Sequence, residues 1–272
     1  MEGVSAKTLE RIQRFSLMDD PFMTVYFSGN IPCTELILRI ILNKPDLVVK
    51  SVQAQKVLKN PQGRSVILDV AATDSAGLEY DIEVQRDDRG ASPRRARYHS
   101  SSLDAHFSGV GKYFEELPET CVIFITENDV LGLGLPLYTI ERTVQETGKI
   151  FGDGSHIVYV NASIQEETPL GRLMHEFRCP NPGEMFYDVL AKRADYLKTD
   201  DEGVKIVSSV VEEIRTEGRM EGRVEGLTQG LTQGREEAFL SAAGRMLAKG
   251  FSIEETAEIV GLPWDVLMAL QK

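Results

Sequence analysis

SVILDVAATD (65–74) and LEYDIEVQ (78–85) are separated only by Ser75-Ala76-Gly77. Both runs are rich in β-branched and apolar residues and a short turn joins them, which predicts a β-hairpin. Side chains alternate along an extended strand, so Asp81, Glu83 and Gln85 project to one face while Tyr80, Ile82 and Val84 project to the other. Asp69 sits amid Val66, Ile67, Leu68 and Val70, where a carboxylate is costly unless it binds a cation or accepts strong hydrogen bonds. With an odd number of turn residues, Asp69 falls opposite Glu83 or Asp81. Two carboxylates that close repel each other unless a divalent cation lies between them. A plainer alternative makes Asp81 and Glu83 surface charges on a solvated hairpin face and pairs Asp69 with Arg64 or Arg97.

Upstream, CTELILRIIL (33–42) is apolar around most of a helical projection, with Glu35 and Arg39 four apart, and reads as a short buried helix packed on a sheet. From Leu47 to Leu58 the β-branched content rises. Downstream of the hairpin, Arg86, Arg89, Arg94, Arg95 and Arg97 stand against only Asp87 and Asp88, and DDRG (87–90) reads as a loop. Ser92 and Pro93 supply an N-cap and a first-turn proline. No other proline follows before Pro118, so the pattern predicts a helix over 93–116. His99 and His106 on that helix read as packing or surface residues, since no third ligand is spaced to join them. CVIFIT (121–126) reads as a strand buried on both faces, YTIERTV (138–144) and HIVYVN (156–161) as further strands, and the chain beyond Glu166 as helical. The order helix, two or three strands, helix, strand, strand, strand predicts a mixed sheet with helices on its faces, α/β or α+β.

Composition bounds the function. The chain has 272 residues, 42% hydrophobic and 26% charged, which fits one or two globular domains. No apolar run approaches the roughly 18 residues of a membrane helix, and MEGVSAKTLERIQRF lacks the apolar core of a signal peptide. A cytoplasmic protein without a membrane partner is expected. Against 42 acidic residues stand 30 Lys and Arg, and the net charge of −12 disfavours indiscriminate adhesion to nucleic acid or anionic lipid. Any nucleic-acid contact must be local, and the stretch from Arg86 to His99 is the place for it. Cys33, Cys121 and Cys179 are far apart and lack CxxC spacing, so they read as small core residues.

The chain divides into 1–200, 201–240 and 241–272. In the middle segment, EGRMEGRVEGLTQGLTQGR (217–235) places Gly218, Gly222, Gly226, Gly230 and Gly234 on one helical stripe flanked by Glu217, Glu221 and Glu225. Interior glycines cost about 1 kcal/mol each in a helix. Either a partner helix packs on the stripe, or the segment is a loosely helical linker. In the tail, Ser252 and Glu255 form a capping-box pattern ahead of a stop at Gly261, and a last helix is expected over 264–271. This small helical tail resembles a helix-turn-helix unit. Its acidic final helix favours packing or dimerisation over base readout.

Together these features resemble the PD-(D/E)xK nuclease superfamily, specifically the PD-(D/E)xK nuclease family transposases, related to the recombination-promoting Rpn nucleases. The resemblance covers about residues 17–200. It is carried by LMDDPFM (17–23), the Asp69…Glu83-x-Gln85 hairpin and RRARYH (94–99), and it is supported by the Gly repeat ahead of GFSIEETAEIVGL (250–262). It implies a restriction-endonuclease-like α/β mixed-sheet core of αβββαβ order, with a helical C-terminal extension. It also implies a Mg²⁺-dependent endodeoxyribonuclease serving transposition or recombination, with Mn²⁺ able to substitute and DNA as partner. Asp69, Glu83 and Gln85 would be catalytic, Asp69 and Glu83 would bind the metal, and Glu35 would be an additional acid. Arg94, Arg95, Arg97 and Tyr98 would contact DNA phosphates. Gln85 stands where the superfamily name calls for lysine; an amide can orient water or phosphate but brings no positive charge. The competing reading is a catalytically degenerate nuclease fold acting as a DNA-binding or oligomeric interaction module, with homo-oligomers formed through the C-terminal helical region.

Overall fold

Three helices lead into the sheet: α1 (Ala6–Arg14), α2 (Asp20–Phe27) and α3 (Ile31–Ile41). The strands β1 (Val49–Leu58), β2 (Val66–Asp74) and β3 (Glu79–Gln85) follow, then α4 (Pro93–Phe107), β4 (Thr120–Thr126), β5 (Leu137–Ile140), β6 (Thr143–Val144), β7 (Lys149–Ile150) and β8 (Ser155–Asn161). The remainder is helical: α5 (Pro169–Arg178), α6 (Asp188–Thr199), α7 (Asp201–Ala248), α8 (Ile253–Val260) and α9 (Trp264–Leu270). This computed structural model describes the chain except residues 1–3, 61–62, 109–110, 112 and 271–272, and except the side chains of Glu217 and Glu221. It falls into two units, Met1–Val211 and Glu212–Lys272.

In the first unit the sheet order is β1-β2-β3-β4-β8-β5. β1, β2 and β3 form an antiparallel meander, β4 and β8 continue parallel to β3, and β5 closes the edge antiparallel to β8. With α3 ahead and α4 between β3 and β4, this is a mixed α/β sheet of αβββαβ order, as the sequence leads one to expect. Every residue of β4 is buried, the signature of a central parallel strand covered on both faces.

The two faces carry separate cores. Tyr80, Ile82, Val84, Cys121, Ile123 and Ile125 join Phe22, Ile37, Leu38, Leu173, Phe177 and Leu190 from α2, α3, α5 and α6. Val122, Phe124 and Tyr159 pack with Ala96 and Leu103 of α4 on the other side. The face of Asp81 and Glu83 therefore lies under α4 rather than in solvent, and both residues are 0% exposed. That corrects the solvated-face alternative: β3 displays no surface charge there.

α4 begins where the sequence places it, with Ser92 Oγ accepting the Arg95 N–H at 3.3 Å. It stops at Phe107 rather than running to 116. Ser108 is already extended and Gly111 takes φ +85°, a left-handed conformation that a helix cannot continue through. Phe114–Glu116 is a separate short 3₁₀ turn, and residues 109, 110 and 112 of the expected helix lie outside the described residues. Most of DDRG (87–90), expected as loop, falls in another 3₁₀ turn, Asp88–Ala91, capped by Asp87 Oδ1 on the Arg89 N–H at 2.9 Å. All three cysteines are buried free thiols.

In the second unit, α7 runs unbroken through Gly218 to Gly234, and apart from the adjoining backbone of the helix itself no described atom comes within 4 Å of where a Cβ would stand at any of the five repeat glycines. Met220, Val224, Leu227 and Leu231 on the same helix are exposed. The expected capping box is present in α8: Ser252 Oγ accepts the Glu255 N–H at 3.1 Å and Glu255 Oε2 accepts the Ser252 N–H at 2.8 Å. Gly261 closes that helix at φ +73°. Among the described residues no helix is long and apolar enough to cross a membrane.

Candidate active site

The site forms where β2 parts from β3. Their ladder ends at Val70–Ile82, whereas β3 stays paired with β4 as far as Gln85–Thr126. The divergence begins in β1, where Gln55, between the Ala54–Val70 and Lys56–Leu68 pairs, adopts φ +52°. Such a left-handed residue costs about 1–2 kcal/mol, and it reverses the strand's alternation. Val66 and Leu68 accordingly belong to one core and Val70 and Ala72 to the other.

Two backbone amides lose their ladder partners at this point, and two carboxylates take over. Glu83 Oε1 accepts the Asp69 N–H at 3.0 Å, and Asp69 Oδ2 accepts the Val84 N–H at 3.0 Å. Each acid thus satisfies the orphan donor of the opposite strand. Asp69 forms this exchange rather than an ion pair with Arg64 or Arg97. Burial raises the Asp69 carboxyl to about 7, with the Glu83 charge as second cause and Asp20 adding to it. The Glu83 carboxyl is likewise pushed up, first by burial and then by Asp81.

Beneath this pair lies a layer that sequence reasoning missed. His99 Nδ1 is hydrogen-bonded to Asp81 Oδ2 at 2.8 Å and lies 3.8 Å from Glu83 Oε1. Asp81, Glu83 and His99 offer ligand-type atoms all within 4.8 Å of one another. The reading of His99 as mere packing is therefore corrected: its partners come from β3, which no spacing along α4 could reveal. Arg95, one helical turn before His99, donates from Nη2 to Glu83 Oε2 at 3.1 Å and from Nε to His99 Nε2 at 3.3 Å. Gln85 Nε2 reaches the same Glu83 oxygen at 3.4 Å. The Gln85 amide owes its room to Gly90, where a Cβ would fall 2.2 Å from Gln85 Oε1.

Asp69 and Arg95 line two cavities. One, of about 530 Å³, carries Asp19, Asp20, Asp69 and Asp87 with Gln85, Arg86 and Arg95. The other, of about 770 Å³, carries Arg64, Arg89, Arg94, Arg95 and Tyr98, with Asp69 as its one carboxylate among the described residues. An acidic chamber and a cationic chamber thus share Asp69 and Arg95. Asp20, at the start of α2, is a site residue that the sequence patterns did not mark. Its position is fixed by Arg86, which donates to the Met18 carbonyl at 3.1 Å and pairs with Asp19 at 3.3 Å. The buried Lys198 also helps, binding the carbonyls of Gln13, Phe15 and Pro180 around the α1–α2 connection.

The sequence-derived site residues therefore sort by place. Asp69, Glu83 and Gln85 come together. Arg94, Arg95 and Tyr98 line the cationic chamber, where Arg64 and Arg89 join them, while Arg97 is exposed and not on its wall. Glu35 lies apart, accepting the Val49 N–H at 2.9 Å and pairing with Arg39 at 2.7 Å.

Three features make the carboxylate group suited to a divalent cation. It is a set of hard oxygen donors, their charged forms are disfavoured by burial and mutual repulsion, and Asp81 Oδ1 is buried without a hydrogen-bond partner. Comparison with curated proteins and with solved structures gives no match. Residues 37–168 match the family described as PD-(D/E)XK nuclease family transposase. The matched span contains β1 to β3, α4, β4 and β8, and with them Asp69, Asp81, Glu83, Gln85, Arg95 and His99, but not Asp20. Over residues 37–168, just under half of its length, the chain is therefore similar to the PD-(D/E)XK nuclease family transposases.

Proposed function

We propose that the first unit is a divalent-metal-dependent DNA endonuclease serving transposition or recombination. The family match over residues 37–168 supports a nuclease- or transposase-related function, and nucleases of this class generally use divalent metals. The observation that carries the finer reading is the exchange between Asp69 and Glu83, which holds two carboxylates beside an acidic chamber and next to a cationic one. Asp69 and Glu83 would hold Mg²⁺ or Mn²⁺, with Asp20 as a third acid in reach of the same chamber. When bound, such an ion supplies Lewis acidity that lowers the pKa of a water and offsets phosphate charge.

The remaining chemistry belongs to the chain. Arg64, Arg89, Arg94 and Tyr98 take the phosphate backbone, and Arg97 adds a contact on the exposed flank of α4. Gln85 orients the attacking water through its amide, which can donate and accept but cannot act as a useful base. The water oxygen forms a bond to phosphorus and gives its proton to solvent. The bond to the leaving sugar oxygen breaks, and that oxygen takes a proton from water. A DNA substrate agrees with the cytoplasmic placement expected from the sequence.

The second reading, an oligomeric interaction module, draws on the exposed Met220, Val224, Leu227 and Leu231 of α7. The discriminating experiment incubates supercoiled plasmid with the full chain in Mg²⁺, Mn²⁺ and EDTA. Nicking or linearisation in metal and none in EDTA supports the enzyme. Intact plasmid in all three, with self-association in solution, supports the module.

A further inference from the structure

We propose that Arg95 supplies the positive charge of the catalytic centre, and that Asp81 and His99 are positioning residues that aim it. This rests on the nuclease reading above and goes beyond it, because β3 offers only the neutral Gln85 beside Glu83.

Arg95 differs from the other arginines of the cationic chamber in being tethered. Arg64, Arg89 and Arg94 line the same wall, yet among the described residues their guanidinium groups take part in none of the hydrogen bonds or ion pairs that fix side chains here. The Arg95 guanidinium is gripped twice, at Nε by His99 and at Nη2 by Glu83, and Nη1 has no hydrogen-bond partner among the described residues. Its side chain is 40% exposed at the point where the two chambers meet. A planar, permanently charged fork held in this way loses little side-chain freedom on meeting a phosphate, and it is suited to two oxygens at once.

The tether is built from the inside. His99 Nε2 receives an N–H from Arg95, and only a ring nitrogen with a free lone pair can do so. The ring proton therefore sits on Nδ1, facing Asp81 Oδ2 at 2.8 Å. Asp81 is 0% exposed, and its second oxygen has no hydrogen-bond partner. A fully buried carboxylate facing the ring N–H fixes the tautomer and orientation of that ring. The order Asp81, His99, Arg95 thus runs from the buried face of β3 to the open mouth of the site. As water adds to phosphorus, negative charge grows on the phosphate oxygens, and a cation aimed there beforehand stabilises the transition state more than the ground state.

The test compares the wild-type chain with Arg95→Ala, Arg95→Lys, Arg94→Ala, His99→Gln, Asp81→Asn and the double variant Arg95→Ala/Gln85→Lys. Plasmid cleavage in Mg²⁺ is read together with DNA affinity in EDTA and ¹⁵N NMR of the metal-free His99 ring. Arg95→Ala should lower kcat by at least about 100-fold with KM little changed, whereas Arg94→Ala should act mainly on KM and on DNA affinity. Arg95→Lys should retain part of kcat, and the double variant should recover part of what Arg95→Ala loses. The metal-free His99 spectrum should show a protonated Nδ1 and a bare Nε2, and loss of that pattern in Asp81→Asn should accompany a lower kcat. Wild-type cleavage with unchanged kcat in Arg95→Ala overturns this proposal and leaves the nuclease reading standing. A His99 ring protonated at Nε2 overturns the tether whatever the activity. A wild-type chain that cuts nothing removes the nuclease reading, and this proposal falls with it.

Discussion

Replacing Gly90 by alanine tests whether Gln85 is a working part of the site, because it displaces the Gln85 amide without replacing any side chain that forms the site. A Cβ at residue 90 would stand 2.2 Å from Gln85 Oε1 and 3.2 Å from Gln85 Cδ, against 3.6 Å from Arg95 Nη1. Arg95 can stay, but the amide oxygen has to retreat by about 1 Å or more to reach ordinary contact distance. The backbone tolerates the change, because Gly90 is not among the residues with positive φ. Gly→Ala at such a position contributes about 0.4–1 kcal/mol through the unfolded chain. An off-rotamer Gln85 costs about 0.5–1.5 kcal/mol. The two nearly cancel, so Tm should move by only a few degrees. Displacing a water-orienting group by about 1 Å can lower cleavage on the order of 100-fold. The assay is single-turnover plasmid cleavage by Gly90→Ala, Gln85→Ala and the double variant. The double variant should cut no more slowly than Gln85→Ala, since the clash then has no partner. Full activity in Gly90→Ala, or additive losses in the double variant, would contradict a water-orienting role for Gln85.

Charge governs how the site responds to pH, metal and salt. The carboxyls are raised on folding, to about 7 for Asp69 and about 8 for Asp81 and Glu83, so they favour the folded state most below the ordinary carboxylate range near pH 4. That contribution fades as pH rises towards 8, so metal-free thermal stability should fall over this window, and the gain in Tm on adding Mg²⁺ should be larger at pH 8 than at pH 6. A metal-induced gain independent of pH would contradict it. Calorimetric titration with Mn²⁺ should show binding abolished in both Asp69→Ala and Glu83→Ala; unchanged affinity in both would move the metal elsewhere. Replacing Arg64, Arg89 and Arg94 by alanine should reduce the slope of log DNA affinity against log salt by about one unit for each phosphate these side chains neutralise. An unaltered slope would place the DNA surface away from the cationic chamber.

How far the sequence could be read depended on the range of the interaction. The hairpin was legible because alternation and a short turn are local, and Asp69, Glu83 and Gln85 came with it. The starts of α4 and α8 were legible because Ser92 and Ser252 cap them within three residues. The buried state of Asp81 and Glu83 was not, since it depends on α4 folding back over β3, a packing decision with no signal in either segment alone. His99 was hidden for the same reason. Asp20 could have been found, because Asp-Asp-Pro announces a helix start, but only the β2–α2 geometry brings it near Asp69. Glu35 illustrates the converse. Its partner Arg39 was visible four residues on, and that local pair, together with the Val49 amide, engages its carboxylate.

Single-turnover cleavage of supercoiled plasmid with the wild-type chain, Asp69→Asn and Glu83→Gln in parallel shows whether Asp69 and Glu83 turn this sheet into a DNA-cutting centre. Both substitutions keep the shape of the side chain and an oxygen for the orphan amide of the opposite strand, so the fold should survive in each. Cleavage by the wild type in Mg²⁺, with a loss of at least about 1,000-fold in both variants, is the expected result. Cleavage that persists undiminished in both variants would contradict it.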